Sequence, residues 1–181
     1  HEAEKAGWEG LFARDRTIET LLDIQSQGIC DFIGLTGSDL NLMSRTLKET
    51  DAFASVITFC KYDLLTQEAT EELVPTAADG DVAVICASPL HAGLLGSKRD
   101  HWKSLGRFPD LYGRLDKVTT MLNNEPEEMT RVALRYLLSD NRVKMLLSGV
   151  SDIGELEDCV AVSDGQYLSD ELVAEIEGMS L

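Results

Sequence analysis

Apolar positions along the chain follow two alternating spacings. Contiguous apolar runs occur four times, at Phe32 to Thr36, Val56 to Phe59, Val82 to Ala87 and Val143 to Leu147. Runs this short, rich in β-branched residues and bounded by turn formers, predict strands. The third run carries no charge and predicts a strand buried on both faces, as in a parallel sheet. It stops at Ser88-Pro89, where proline removes a ladder donor and fixes φ.

Between the runs, apolar residues recur every three or four positions and predict helices. Ile18, Leu21, Leu22 and Ile24 line a helix that Asp15 can cap and Gly28 can stop. Ser38 or Asp39 can cap a helix from Leu40 to Thr50. Thr66 can cap one to about Ala78, with Glu68 and Glu71 near its positive end. Pro126 opens a helix carrying Met129, Val132, Ala133, Tyr136 and Leu137. Ser151 or Asp152 caps another through Val162, and a last amphipathic helix spans about Ser169 to Glu177. The segment Leu94 to Glu125 holds Gly96, Gly106, Pro109 and Gly113 and is expected to be a long irregular loop over a site.

Strand and helix therefore alternate, the signature of βα units on a parallel sheet. Ligands bind such sheets beyond the carboxyl ends of the strands. Four units leave an open sheet, half of a (β/α)8 TIM barrel, which takes about 250 residues. The expected fold class is α/β, one incomplete barrel domain over residues 1–181. Its inward-facing Ile33, Ile57 and Ile85 are expected to be exposed, favouring self-association.

Charge then narrows the partners. Sixteen basic and 32 acidic residues give a net charge of −16, a field that repels nucleic acid and anionic membranes. The one basic stretch, Lys98 to Lys103, reads as a solvated loop. No apolar run approaches the length of a membrane span. Cys30, Cys60, Cys86 and Cys159 have no Cys-x-x-Cys spacing and read as reduced thiols, so a cytoplasmic location is expected. His1, His91 and His101 have no metal-ligand spacing, and no metal is expected. Gly93 to Lys98 lacks the phosphate-loop spacing, and no Gly-x-Ser-x-Gly elbow occurs. The first residue is His, not Met, so the chain is expected to begin inside a longer reading frame.

Four stretches, in order, carry a resemblance to the C-terminal half of the aldo/keto reductases, nearest the L-galactose and D-threo-aldose 1-dehydrogenase branch. His1-Glu2-Ala3-Glu4 resembles the end of that branch's strand four. Phe32-Ile33-Gly34-Leu35-Thr36-Gly37 resembles strand five. Ala87-Ser88-Pro89-Leu90 with Gly93-Leu94-Leu95 resembles strand seven and its loop. Arg131 to Ser139, Val143, and Leu147-Ser148-Gly149-Val150-Ser151 to Asp158 resemble the last helix–strand–helix unit.

The resemblance implies hydride transfer between a nicotinamide cofactor, NAD or NADP, and an aldose or related small carbonyl or lactol. It places the catalytic Tyr, Lys and Asp in a missing N-terminal half-barrel, so this chain alone is expected to be inactive. His1 would be the fourth catalytic member. Thr36 and Gly37 would hold the carboxamide, and Phe59 would lie beneath the nicotinamide. Ala87 stands where many members stack an aromatic ring. Ser88, Leu90 and Ala92 would follow the pyrophosphate, and Gly149, Val150 and Ser151 would meet a phosphate at a helix start. Glu155 stands where NADP users place a cation, which tilts the choice toward NAD. Asp158 would meet the adenine, and Cys159 stands where an Asn is usual. Trp8, Phe12 and Trp102 are candidates for the substrate pocket. A non-catalytic nucleotide-binding module remains the alternative, as does an unrelated open sheet in which the third and fourth strand tips do not adjoin.

Overall fold

The protein is described from a computed structural model covering residues 2–13, 16–122 and 126–179. In chain order its elements are α1 (Glu2–Phe12), α2 (Thr17–Ser26), β1 (Gly34–Thr36), α3 (Leu40–Glu49), β2 (Ser55–Phe59), α4 (Glu68–Glu71), α5 (Leu73–Asp79), β3 (Ala83–Ala87), α6 (Arg99–Ser104), α7 (Tyr112–Met121), α8 (Pro126–Ser139), β4 (Val143–Leu147), α9 (Ile153–Ala161) and α10 (Asp170–Gly178). The strands form one parallel sheet in the order β1-β2-β3-β4. This is the expected partial barrel, with neighbouring third and fourth tips. The register aligns Thr36, Ile57, Ile85 and Met145 in one row and Phe59, Ala87 and Leu147 in the next.

Alternation along each strand divides the sheet into two unlike faces. Leu35, Val56, Thr58, Val84 and Cys86 are buried against Met43, Leu73, Val74, Ala77, Ala133 and Leu137 of the helices. On the opposite face Phe59, Met145 and Leu147 are 36%, 51% and 45% exposed. The expectation that β3 is buried on both faces is therefore corrected: Ala83, Ile85 and Ala87 are only half-buried, because a single helical layer covers the sheet. Ile33 is corrected too. It is 6% exposed, since it shares parity with Leu35 and points at the helices.

Three helical boundaries differ from expectation. The helix predicted over Thr66 to Ala78 breaks at Glu72, whose φ of −138° and ψ of −47° separate α4 from α5. Pro75 explains the break, because it has no N–H for the Glu71 carbonyl and its ring collides there. Thr66 does not cap α4; its hydroxyl donates to Glu68 and its amide to Asp63. The predicted long loop of 94–125 contains α6 and α7. Leu115 and Val118 of α7 are buried, so packing overrides the glycine signal. Of the four residues matched to the end of a strand, Glu2, Ala3 and Glu4 begin helix α1, which kinks at Gly7 (φ 62°), and His1 lies outside the described residues. Asp15 lies outside the described residues.

Caps appear where short polar residues precede the apolar periods. Asp39 Oδ1 accepts the Leu42 amide at 2.9 Å, Asp152 accepts that of Glu155 at 2.9 Å, and Ser169 that of Leu172. An Asp39→Ala variant is expected to lose about 1 kcal/mol of stability and melt roughly 2–4 °C lower. A thermal melt followed by circular dichroism checks this, and an unchanged midpoint refutes the cap.

Arg114 on α7 is 2% exposed and ties the C-terminal segment to the body. Its Nε donates to the Leu64 carbonyl at 2.7 Å, its Nη2 to Ile176 at 2.9 Å, and its Nη1 to Met179. Among the described residues no helix is long and apolar enough to cross a membrane.

Candidate functional site

Beyond the carboxyl ends of β3 and β4 lies a cavity of about 580 Å³, within the range of small-molecule sites. One wall is the loop after β3, with Ser88, Pro89, Leu90, Ala92, Gly93, Gly96, Ser97 and Lys98. The other is the turn into α9, with Ser148, Gly149, Val150, Ser151, Glu155, Asp158 and Cys159. Trp102 of α6 and Thr130 of α8 complete it.

The first wall is held in an unusual conformation. Ser88, His91, Ala92 and Gly93 have φ of 59°, 47°, 56° and 86°. A left-handed non-glycine residue costs about 1–2 kcal/mol, so tertiary contacts have to hold this turn. At Gly93 an added Cβ would also meet the Lys98 side chain at 3.1 Å. The Ser88 hydroxyl accepts the Ala92 amide at 2.9 Å, and Trp102 Nε1 donates to the Ala92 carbonyl at 2.9 Å. Cys60, just past β2, shares hydrogen bonds with Ser88 and Ala92. Burial pushes its thiol pKa up, so it stays protonated at neutral pH.

Glu155 joins the two walls. One carboxylate oxygen accepts the Ser97 hydroxyl at 2.9 Å; the other accepts the Ser151 amide at 2.7 Å and the Ser151 hydroxyl at 2.8 Å. The Ser151 amide, then the Ser151 and Ser97 hydroxyls, hold its pKa below the usual glutamate value. With Asp152 capping the Glu155 amide, two acidic side chains already occupy the start of α9. A phosphate placed there meets negative charge. Lys98 and the loop after β3 are the cavity's better anion-binding elements.

The cavity gathers Ser88, Leu90, Ala92, Gly149, Val150, Ser151, Glu155, Asp158 and Cys159, nine of the residues that the resemblance gave to the cofactor, and with them Trp102. It leaves out Thr36, Gly37, Phe59 and Ala87. Thr36 lies at the far edge of the sheet from β4; Phe59 flanks Ala87 on the open face. His1 lies outside the described residues. Trp8 and Phe12 were expected on a loop of a substrate pocket. They lie instead on α1, with ring centroids 4.2 Å apart, and the Arg45 guanidinium of α3 sits 3.4 Å above Trp8. Trp102, expected there too, is also helical and lines the cavity across the tips of β3 and β4. Pro89, Gly93, Gly96, Ser97, Lys98, Thr130 and Ser148 also line it and were not among the site residues expected from the sequence. The glycine spacing from Gly93 to Gly96 was the available signal for the loop residues Gly93 to Lys98. Among the described residues no three His, Cys, Asp or Glu side chains meet as a metal site.

The aldo/keto reductase family profile matches residues 6–180. The chain is 25% identical over 169 residues to the L-galactose dehydrogenase of Arabidopsis thaliana, covering 90% of this chain and 52% of that protein. It is 26% identical over 137 residues to the D-threo-aldose 1-dehydrogenase of a Pseudomonas species, covering 74% and 41%. Among solved structures, an aldo-keto reductase from Bacillus halodurans in its holo form superposes with a TM-score of 0.71 at 21% identity, covering 91% of this chain and 55% of that one. The chain thus spans about half the length of the curated relatives it matches.

Proposed function

We propose, from the premise that this chain belongs to the aldo/keto reductase family, that it forms the nicotinamide-nucleotide cradle of an oxidoreductase acting on an aldose or a similar small carbonyl or lactol. The observation that carries this reading is the cavity across the tips of β3 and β4, where nine residues picked from the sequence meet. Its volume suits a dinucleotide's diphosphate and adenosine portions. Backbone groups after β3 and the Lys98 ammonium supply anion-binding character, and Asp158 supplies an acceptor for an amino group. When bound, the cofactor supplies a hydride acceptor or donor at its nicotinamide ring. The chain's own residues bind and orient it. Ser88, Leu90 and Ala92 form the wall along the diphosphate, and Trp102 shields that wall from water. Phe59, beside Ala87 at the strand tips, offers an aromatic face for the ring.

Glu155 favours NAD over NADP in this reading, because its ionised carboxylate repels a ribose phosphate. The open face bearing Phe59, Met145 and Leu147 is the surface against which the rest of a barrel would close. The alternative, a nucleotide-binding module without catalysis, shares the cradle and differs in turnover by the complete protein.

The experiment is a titration of a Trp8→Phe chain with NAD+, following Trp102 emission. Saturable quenching is expected, with no turnover of L-galactose or other aldoses by this chain alone. Absence of quenching at millimolar NAD+ overturns the cradle. Turnover above background overturns the assignment of the proton donor to another part of the barrel.

A further inference from the structure

Behind the wall of the cavity, out of reach of anything bound there, lies a buried acid–imidazole pair. Asp63, in the loop after β2, is fully buried. Its Oδ1 accepts the amides of Leu65 at 2.8 Å and Thr66 at 3.2 Å, so its own turn fixes the carboxylate. Its Oδ2 lies 2.8 Å from Nδ1 of His91, which is 4% exposed. A carboxylate oxygen only accepts, so His91 Nδ1 carries the hydrogen. Phe108 closes over the imidazole edge-on, with centroids 5.1 Å apart. The Arg114 guanidinium, bonded to the neighbouring Leu64 carbonyl, faces the Asp63 charge.

His91 is the first of three successive left-handed residues, and the next two, Ala92 and Gly93, line the cavity. Two other side-chain bonds on this turn, from Ser88 and Trp102, come from residues that themselves line the cavity and that a ligand can disturb. Neither Asp63 nor His91 lines the cavity, so their bond holds the turn from behind. It ties a strained turn to a rigid one across 28 residues of sequence.

We propose that Asp63 and His91 are positioning residues whose buried hydrogen bond holds the His91–Gly93 turn in the left-handed form that presents Ala92 and Gly93 to a nucleotide. The nucleotide half of this statement rests on the function proposed above. Without the bond the turn relaxes toward right-handed conformations, and the binding-competent fraction falls. Apparent affinity falls by the same factor, about tenfold for a drop to one-tenth.

The test compares His91→Leu, His91→Asn and Asp63→Ser in the Trp8→Phe background. Leucine removes the donor. Asparagine at position 91 puts an N–H near the place of Nδ1 and tolerates positive φ. Asp63→Ser keeps a hydroxyl acceptor for the Leu65 and Thr66 amides but is too short to reach Nδ1, and covers the case in which the leucine variant fails to fold. His91→Leu and Asp63→Ser are expected to speed amide exchange at Ala92, Gly93 and Leu94, leave β2 and β3 protected, and weaken NAD+ binding about tenfold by Trp102 emission. His91→Asn restores both. Unchanged exchange in a folded His91→Leu or Asp63→Ser protein overturns the proposal, as does failure of a folded His91→Asn protein to restore protection. If exchange behaves as expected while the parent chain does not bind NAD+, the anchor stands and the nucleotide reading falls.

Discussion

Replacing Arg114 with methionine is expected to lower the melting temperature by about 10 °C. Methionine keeps the apolar stem and removes the guanidinium. Three carbonyls, those of Leu64, Ile176 and Met179, then lose their donor inside the protein. Breaking a buried charged network costs about 3–5 kcal/mol, and each unpaired buried group about 1–3 kcal/mol. For a chain of this size each kcal/mol moves the midpoint by roughly 2–4 °C. Burial lowers the Arg114 pKa, with the Tyr136 hydroxyl and Asp63 charge opposing it, so the group stays charged and the loss is independent of pH near neutrality. Differential scanning calorimetry measures the shift. Limited proteolysis supplies a second readout, since release of α10 exposes Ile176, which is fully buried in the native protein. A shift under 2 °C with α10 still protected would show that Arg114 does not anchor the C-terminal segment.

Reversing the charge at Glu155 is expected to change which nucleotide the cavity prefers. A Glu155→Lys variant should favour NADP+ over NAD+ by about thirtyfold relative to the parent, as a repulsion at the cavity wall becomes an attraction. Glu155→Gln should fall between the two, because the amide can still bridge Ser97 and Ser151 without charge. The sign of the pH dependence follows from the same contacts. Hydrogen bonds lower the folded-state pKa of Glu155, so the bridge is fully present above the ordinary glutamate value of 4.5 and is lost as pH falls through the depressed value. The ribose phosphate itself takes up a proton near pH 6 in both proteins, so the Glu155 contribution is the difference between the parent and Glu155→Gln, which should hold down to about pH 4.5 and weaken below it. Competition titrations with the two nucleotides measure both effects. Equal preference in Glu155→Lys and the parent would place the ribose phosphate away from Glu155.

Much of the architecture was legible in the chain because it depends on local pattern. The four apolar runs became the four strands within two residues, and Asp39, Asp152 and Ser169 cap the helices they precede. The fine breaks were legible in principle. Pro75 stands at the position where a continuous helix fails, although the apolar period runs through it. The site was legible in part. Ser88 and Ser151 follow strand ends, and strand ends converge on one rim in any parallel sheet. Thr36 and Phe59 are the last residues of β1 and β2, yet they do not line the cavity, because those strands are not the pair whose tips border it.

The sequence by itself determined the alternation of elements, the parallel sheet and the acid-rich surface, since these depend on side-chain period and charge that each segment carries alone. Tertiary structure decided the rest. Which face of the sheet is covered, the left-handed turn at His91–Gly93 and the bridges from Glu155 to Ser97 and from Arg114 to the C-terminal carbonyls all join residues far apart along the chain. Their free energies depend on which groups folding brings within hydrogen-bond distance and removes from water, and no local pattern of residues encodes that.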